Sequence, residues 1–372
     1  MNRFAFVGYY GMSNYGDDLF ALVSSLFVDK YVASGKSVLF CPYLNGIDAN
    51  YTCPSFVGSR AYQRQDYIGK FIRFSSLLLG SVTVDRVFFA GGSTFYSGKF
   101  DSRSLLFSLN KSKKNFFSAI GISVGPFDTV NDERKVVERL KRFEYISLRD
   151  SVSYDRVLSY GLDCKVECCA DIVGALPLVA NDINKTVDLD DSVHIGFSPC
   201  FSADYSFPDH RLCDYFIKHV LSLTDIDLCV DVICLNSNSS TGDIALCKYV
   251  SQELTKNGVK NNVLIYSDFG LVNTWKYIAS LDFFVSARLH GAINAYIADV
   301  PFVLCEYHEK CTQFLDFIGN DVSQRFGADG LDFEMFSSAF SAAFLCGSLC
   351  AMSVEDYSAL GCRNFTESPL VK

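Results

Sequence analysis

Short apolar runs of β character alternate with longer helical patterns along most of the chain, and the runs end in loops rich in Gly, Asn, Asp or Arg. Strands are expected over 3–7, 38–41, 87–90, 116–124 and 145–148. Helices are expected over 17–33, 66–79, 130–143 and 151–160; the second carries its apolar positions at Ile68, Phe71, Ile72 and Leu78. A strand followed by a helix cannot turn back through a tight hairpin. The alternation therefore implies βαβ units and parallel sheet. A polar, acidic stretch, ANDINKTVDLDDS at 180–192, interrupts the pattern. A second set follows, with strands over 194–197, 227–234, 263–265, 283–285 and 302–305 and helices over 213–221, 243–256 and 271–279. The fold class is thus α/β: two doubly wound domains facing a cleft, over 1–180 and 190–330, with a helical segment over 331–372. The length of 372 residues suits two domains.

The chain is 49% hydrophobic and carries a net charge of −9. That balance excludes a general nucleic-acid binder, which needs a basic face. It permits an anionic small substrate, because a pocket can be positive on an acidic protein. The opening MNRFAFVGYY has a short apolar part broken by Gly8, and it reads as a first core strand rather than a signal peptide. Fifteen cysteines are scattered through apolar segments without a Cys-x-x-Cys pair, which fits reduced, buried thiols, a cytoplasmic location and no metal site. The segment 335–352 is uncharged and carries a Phe336, Phe340, Phe344 stripe, but four serines and a glycine make it too polar for a membrane helix. It reads as a buried amphipathic helix, with a membrane-surface or partner contact as the sharper alternative. The sequence sets no oligomeric state.

Several strand ends carry residues suited to binding. The first loop, GYYGMSNYGDDLF at 8–20, has glycines at 8, 11 and 16 that allow tight turns, Asn14 that tolerates left-handed backbone, and Asp17 or Asp18 to cap the next helix. Its spacing does not match the dinucleotide fingerprint. It is either a substrate-binding loop, with Asn14 and Asp17 contributing, or an ordinary turn. FFAGGSTFY at 88–96 exposes the amides of Gly91 and Gly92 beside Ser93 and Thr94 and can hold an anion or a sugar hydroxyl. Arg149 and Asp150 end the strand at 145–148, and Asp171 follows a further short strand. Arg149 either binds a carboxylate or phosphate or forms a structural pair, with Asp150 as helix cap. In the second set, VSARLHGAINAY at 285–296 places Arg288, Leu289 and His290 where a strand gives way to a helix, and Lys310 follows shortly after.

Taken in order, these motifs resemble the polysaccharide pyruvyl transferase family: GYYGxxNxGDD at 8–18, AGGS at 90–93, GISVGP at 121–126, SLRD at 147–150, AD at 170–171 and RLHG at 288–291. Val300-Pro301, Tyr307-x-x-Lys310 and Phe314 follow. The set spans about residues 4 to 319. The chain departs from the family pattern at Ala90, where a third glycine is common, and at Ser123, which interrupts a Gly-Ile-Gly-Pro type of loop.

The resemblance implies two Rossmann-like domains arranged as in GT-B glycosyltransferases, the first on the acceptor side and the second on the donor side. It implies transfer of pyruvate from phosphoenolpyruvate to two hydroxyls of a sugar as a cyclic ketal, with release of phosphate. Phosphoenolpyruvate is then a co-substrate, with no further cofactor. The acceptor is a cell-envelope or capsular glycan or its lipid-linked precursor, which suits a protein at the inner face of the membrane. Arg288, Leu289, His290, Lys310 and Arg149 are the expected donor-binding residues, because an arginine fork matches phosphate and carboxylate. Asn14, Asp17, Gly92, Ser93 and Asp171 are expected on the acceptor. His290 is the expected general acid toward the enol methylene, since a histidine ordinarily titrates near working pH; Asp17 or Asp171 is the base. His308 lies beside these motifs, while His194, His210 and His219 read as structural or surface residues. A nucleotide-sugar glycosyltransferase is the competing reading, with Glu306 as its ribose carboxylate, and a non-catalytic glycan-binding protein is the third.

Overall fold

The computed structural model describes residues 2–371 except 55–56, 65, 82, 98–103, 111–115, 181–186, 202–208, 240 and 328–331. The chain forms two compact units: residues Met1–Met12, Asp17–Ala180 and Tyr357–Lys372 make the first, and Ser13–Gly16 with Asn181–Asp356 make the second. Part of the expected boundary stretch, 181–186, lies outside the described residues.

The first unit holds seven strands: β1 (Asn2–Val7), β2 (Gly35–Leu39), β3 (Asn50–Tyr51), β4 (Arg86–Phe95), β5 (Phe117–Val124), β6 (Phe143–Leu148) and β7 (Lys165–Cys168). They form one sheet of order β3-β2-β1-β4-β5-β6-β7, with parallel pairings throughout. Helices on both faces bury such strands on both sides, so central strands are apolar without alternation. All eight residues of β5 are buried. Rings of Phe89, Phe95, Phe107, Phe117 and Phe143 interlock, with Phe89 and Phe107 stacked at 5.4 Å, which assigns much of the aromatic content to the core.

The second unit holds β8 (Val193–Ser198), β9 (Leu228–Cys234), β10 (Lys260–Ile265), β11 (Phe283–Ser286) and β12 (Phe302–Leu304) in the order β10-β9-β8-β11-β12, again parallel. The expected fold class, α/β with two parallel Rossmann-like sheets, is what the chain adopts.

Two expectations are corrected. The segment 331–372 is not a separate unit. Helix Phe333–Cys346 buries Phe336 and Phe340 in the second unit, Phe340 meeting Phe283 at 4.6 Å. Its phenylalanine stripe therefore packs inward, Phe336 and Phe340 fully and Phe344 in part. Helix Val354–Thr366 passes into the first unit, where Phe365 stacks on Phe27 at 4.5 Å and Asn364 accepts a hydrogen bond from Ser147 Oγ. Helix Tyr67–Ser81, in turn, does not bury its expected apolar positions. Ile68, Phe71 and Leu78 are exposed, while Gly69, Ser76, Leu77 and Gly80 face inward. Gly80 sits so close to Phe40 that a side chain there would overlap the ring.

Candidate functional site

Each sheet reverses its strand order between its first and fourth strands, β1 and β4 in the first unit and β8 and β11 in the second. Ligands of doubly wound sheets bind beyond the carboxyl ends of strands at such points. Of the residues singled out in the sequence, Asn14 and Asp17 follow β1, Gly92 and Ser93 lie in the last part of β4, and Arg288, Leu289 and His290 follow β11, whereas Arg149 follows β6, Asp171 follows β7 and Lys310 follows β12.

In the second unit, β11 ends at Ser286. Ser286 Oγ accepts from Arg288 N at 3.1 Å and donates to Arg288 O at 2.7 Å, closing the turn into helix Leu289–Ile297. Arg288 occupies the cap position, and no side chain caps the helix. The helix N-terminus, where the dipole favours an anion, therefore lies at the same turn as the guanidinium. Asp243 holds that guanidinium by two points, Nε to Oδ2 at 2.9 Å and Nη2 to Oδ1 at 2.5 Å. Asp243 is fully buried, precedes helix Ile244–Lys256, and also accepts from Phe201 N at 2.8 Å. Burial opposes the charge on Arg288, but Asp243 outweighs it and raises its pKa, so Arg288 is a permanent cation. The pair with Asp243 uses two of the five N–H donors that an arginine carries.

Cys200, beyond the end of β8, lies in the same field. Its thiol donates to Tyr307 Oη at 3.4 Å. Burial pushes the thiol pKa up, while Arg288 and Lys310 pull it down, so both cations act on this spot. His308 caps helix Glu309–Ile318, its Nδ1 accepting from Lys310 N at 3.2 Å. His290 is half-buried and packs over Gly16: a Cβ added there would stand 2.0 Å from Nδ1. That is a physical reason for the third glycine of the first loop. Ser13–Gly16 joins the second unit through an Asn14–Asn236 bridge and a Tyr15 N to Leu235 O bond of 2.9 Å. Asn14, expected with the acceptor set of the first domain, therefore belongs to the unit that carries His290.

In the first unit, helix Tyr15–Tyr31 starts two residues earlier than expected. Asp17 and Asp18 thus sit inside its first turn, and Asn14 Oδ1, at the cap position, accepts from Gly16 N at 3.3 Å. Asp18 is buried and accepts from Gly11 N at 2.7 Å, which shapes the loop. Strand β4 runs through Gly91 and Gly92, both with positive φ (74° and 78°). A Cβ on Gly91 would strike the Phe20 ring, whereas one on Gly92 would reach no atom closer than 3.6 Å and would look toward Asp17. Arg149 is committed: Nη1 donates to Asp171 at 2.7 Å and Nε to Ser123 Oγ at 2.9 Å, with Ser93 Oγ at 3.5 Å from Nη2. Ser123 passes the network to Asp150, which caps helix Ser151–Ser159 through Ser153 N. Asp171 also caps a short 3₁₀ turn. Arg149 thus forms a structural pair, and its partner is Asp171. The carboxylate of Asp171 is thus engaged by Arg149 and by its cap.

The sequence reading missed Asp243, Cys200 and the purpose of Ser123. Gly242-Asp243 carried a usable signal, being a glycine and an acid at a loop-to-helix junction. Glu306, weighed as a ribose carboxylate, is buried and gripped by Arg325 at 3.0 and 2.6 Å. One cluster among the described residues has metal-ligand chemistry: His194, Cys229 and Asp231, with ligand atoms within 4.8 Å of one another. His194 Nδ1 and Asp231 Oδ2 are 2.6 Å apart, and Asp231 Oδ1 accepts from Tyr277 and Asn262 at 2.8 Å. These are the contacts of a closed hydrogen-bond network.

Two parallel Rossmann-like units with their polar residues at the switch points define a GT-B-like protein. Solved structures agree in fold: the S. aureus MnaA–UDP co-structure (TM-score 0.61, 10% identity, 97% of this chain and 91% of that one), UDP-GlcNAc 2-epimerase from Methanocaldococcus jannaschii (0.59, 10%, 99% and 100%) and a glycosyltransferase from Rickettsia africae ESF-5 (0.53, 10%, 100% and 94%). No curated protein matches the chain. The family model for polysaccharide pyruvyl transferase matches residues 14–309, and the chain belongs to that family. It is accordingly a transferase with a glycan acceptor. Among the described residues no helix is long and apolar enough to cross a membrane.

Proposed function

We propose that this protein transfers pyruvate from phosphoenolpyruvate to two hydroxyls of one sugar in a cell-envelope glycan, or in its lipid-linked precursor, forming a cyclic ketal and releasing phosphate. The observation that carries the proposal is the turn at 286–290. There a permanent cation, an uncapped helix N-terminus and His290 adjoin, and Lys310 acts on the same field. This is the chemistry needed for a donor with a phosphate, a carboxylate and a carbon that must be protonated.

In the proposed course, the remaining donors of Arg288, the first-turn amides and Lys310 bind the two anionic groups. Asp243 orients Arg288 from behind. His290 gives its proton to the methylene carbon, which makes carbon 2 electrophilic. One sugar hydroxyl attacks carbon 2 and yields its proton to a base, for which Asp17 is our candidate. The oxygen of the second hydroxyl then bonds to carbon 2 as the bond to phosphate breaks; the phosphate leaves with that hydroxyl's proton, and the fixed cations stabilise its departing charge. Asp17, Gly92 and Ser93 are our candidates for the acceptor. Engagement of Glu306 by Arg325 favours this reading over a nucleotide-sugar donor, because the carboxylate proposed for the ribose is already paired.

The test is release of phosphate from phosphoenolpyruvate that depends on added glycan acceptor and is lost in His290→Ala. Acceptor-dependent release that persists in His290→Ala refutes the general-acid role. Consumption of a nucleotide sugar with phosphoenolpyruvate untouched refutes the proposal.

A further inference from the structure

Helix Tyr67–Ser81 presents its large apolar side chains to solvent. Tyr67 is 89% exposed, Phe71 69% and Ile68 55%. These residues are three and four positions apart, so they share one face. The cause is the packing of the other face: Gly69, Ser76 and Gly80 let the helix settle closely on the unit, Gly80 lying against Phe40. Large apolar side chains clustered on one exposed face mark an interaction site.

Its electrostatic setting identifies the partner. From Cys53 to Val84 the sequence has four basic residues, Arg60, Arg64, Lys70 and Arg73, and one acid, Asp66, in a chain whose net charge is −9. Arg60 and Lys70 are exposed, Arg64 is exposed but paired with Asp66, and Lys70 Nζ stands 5.8 Å over the Tyr67 ring. A helix with aromatic and aliphatic side chains amid cations matches a bilayer interface: rings enter the headgroup region and the cations meet anionic lipid.

We infer that the surface formed by Arg60, Tyr67, Ile68, Lys70 and Phe71 docks this protein on an anionic membrane. The surface adjoins the first loop, since Gln63 Nε2 donates to Gly11 O at 3.1 Å, and that loop leads to Asp17. Docking would hold this loop at the membrane surface, where a lipid-linked glycan displays its sugars. The inference does not depend on the donor, so it stands or falls separately from the reaction.

The experiment is flotation of the full chain with vesicles of phosphatidylcholine alone or mixed with phosphatidylglycerol. Binding is expected only with phosphatidylglycerol, and is expected to collapse in about 1 M salt, where the Debye length is about 3 Å. Arg60→Glu with Lys70→Glu should weaken partitioning at least about twenty-fold, each cation near an anionic surface being worth about a factor of five. Tyr67→Ser with Phe71→Ser should weaken it about ten-fold or more. Both double variants alter exposed side chains and should keep the parent melting temperature. Equal binding to both vesicle types, binding unaffected by either pair, or no binding overturns the inference. So does a protein dimer that dissociates in Tyr67→Ser with Phe71→Ser, because a second copy then covers the face.

Discussion

Asp243→Asn isolates the contribution of one buried charge. The wild-type carboxylate is fully buried and holds Arg288 at 2.9 and 2.5 Å, while the Arg288 side chain is 18% exposed. Removing one partner of a buried pair typically costs about 3–5 kcal/mol, because the other charge is left uncompensated. Here the amide keeps one acceptor and Arg288 retains some solvent, so the expected loss is about 2–3 kcal/mol. For a unit of this size that is about 5–10 °C in melting temperature, read by calorimetry. The decisive variant is the double change Arg288→Met with Asp243→Asn. It removes both charges and should recover most of the loss, since apolar replacement of a buried pair is often near neutral. A double variant as unstable as the two single changes summed would refute the account of Arg288 as a cation that depends on Asp243.

Gly16→Ala places a methyl where the His290 ring lies, 2.0 Å from Nδ1; turnover should fall about 100-fold or more, as for loss of a general acid, with the fold retained by circular dichroism. Gly91→Ala should destabilise by about 2–4 kcal/mol in urea titration, through a positive φ and overlap with buried Phe20, and Gly92→Ala by only about 1 kcal/mol, through φ alone. His219 is buried against Phe340, its Nδ1 meets Ser337 Oγ at 3.0 Å, and burial lowers its pKa below the ordinary 6.5. The unfolded chain binds this proton more readily, so the stabilising contribution is full above 6.5 and is lost as pH falls below it. Melting temperatures at descending pH should show that loss, and His219→Gln should flatten it.

The order of strands and helices was legible because both faces of each sheet are covered, so buried strands read as apolar runs such as Phe117–Val124. Positions of Arg288 and His290 were legible too, because the strand-to-helix turn that carries them is local in sequence. Partners were not. Asp243 lies 45 residues from Arg288 and Asp171 lies 22 from Arg149, and nothing in a single sequence says which acid returns to which base. Helix Tyr67–Ser81 was misjudged for a related reason. Its periodicity revealed an apolar face, but the small residues Gly69, Ser76 and Gly80 decided which face packs. Ser123 looked like a lapse in a glycine loop, yet it joins Arg149 to Asp150.

Donor identity is the central claim, and thermal unfolding with ligand titration addresses it directly. A ligand that binds only the folded state raises the melting temperature with its concentration. Wild-type protein should be stabilised progressively by phosphoenolpyruvate, and Arg288→Ala, compared with its own ligand-free baseline, should not. Stabilisation by a nucleotide sugar or nucleoside diphosphate alone, with phosphoenolpyruvate inert, would contradict the account and make this a glycosyltransferase on the same scaffold.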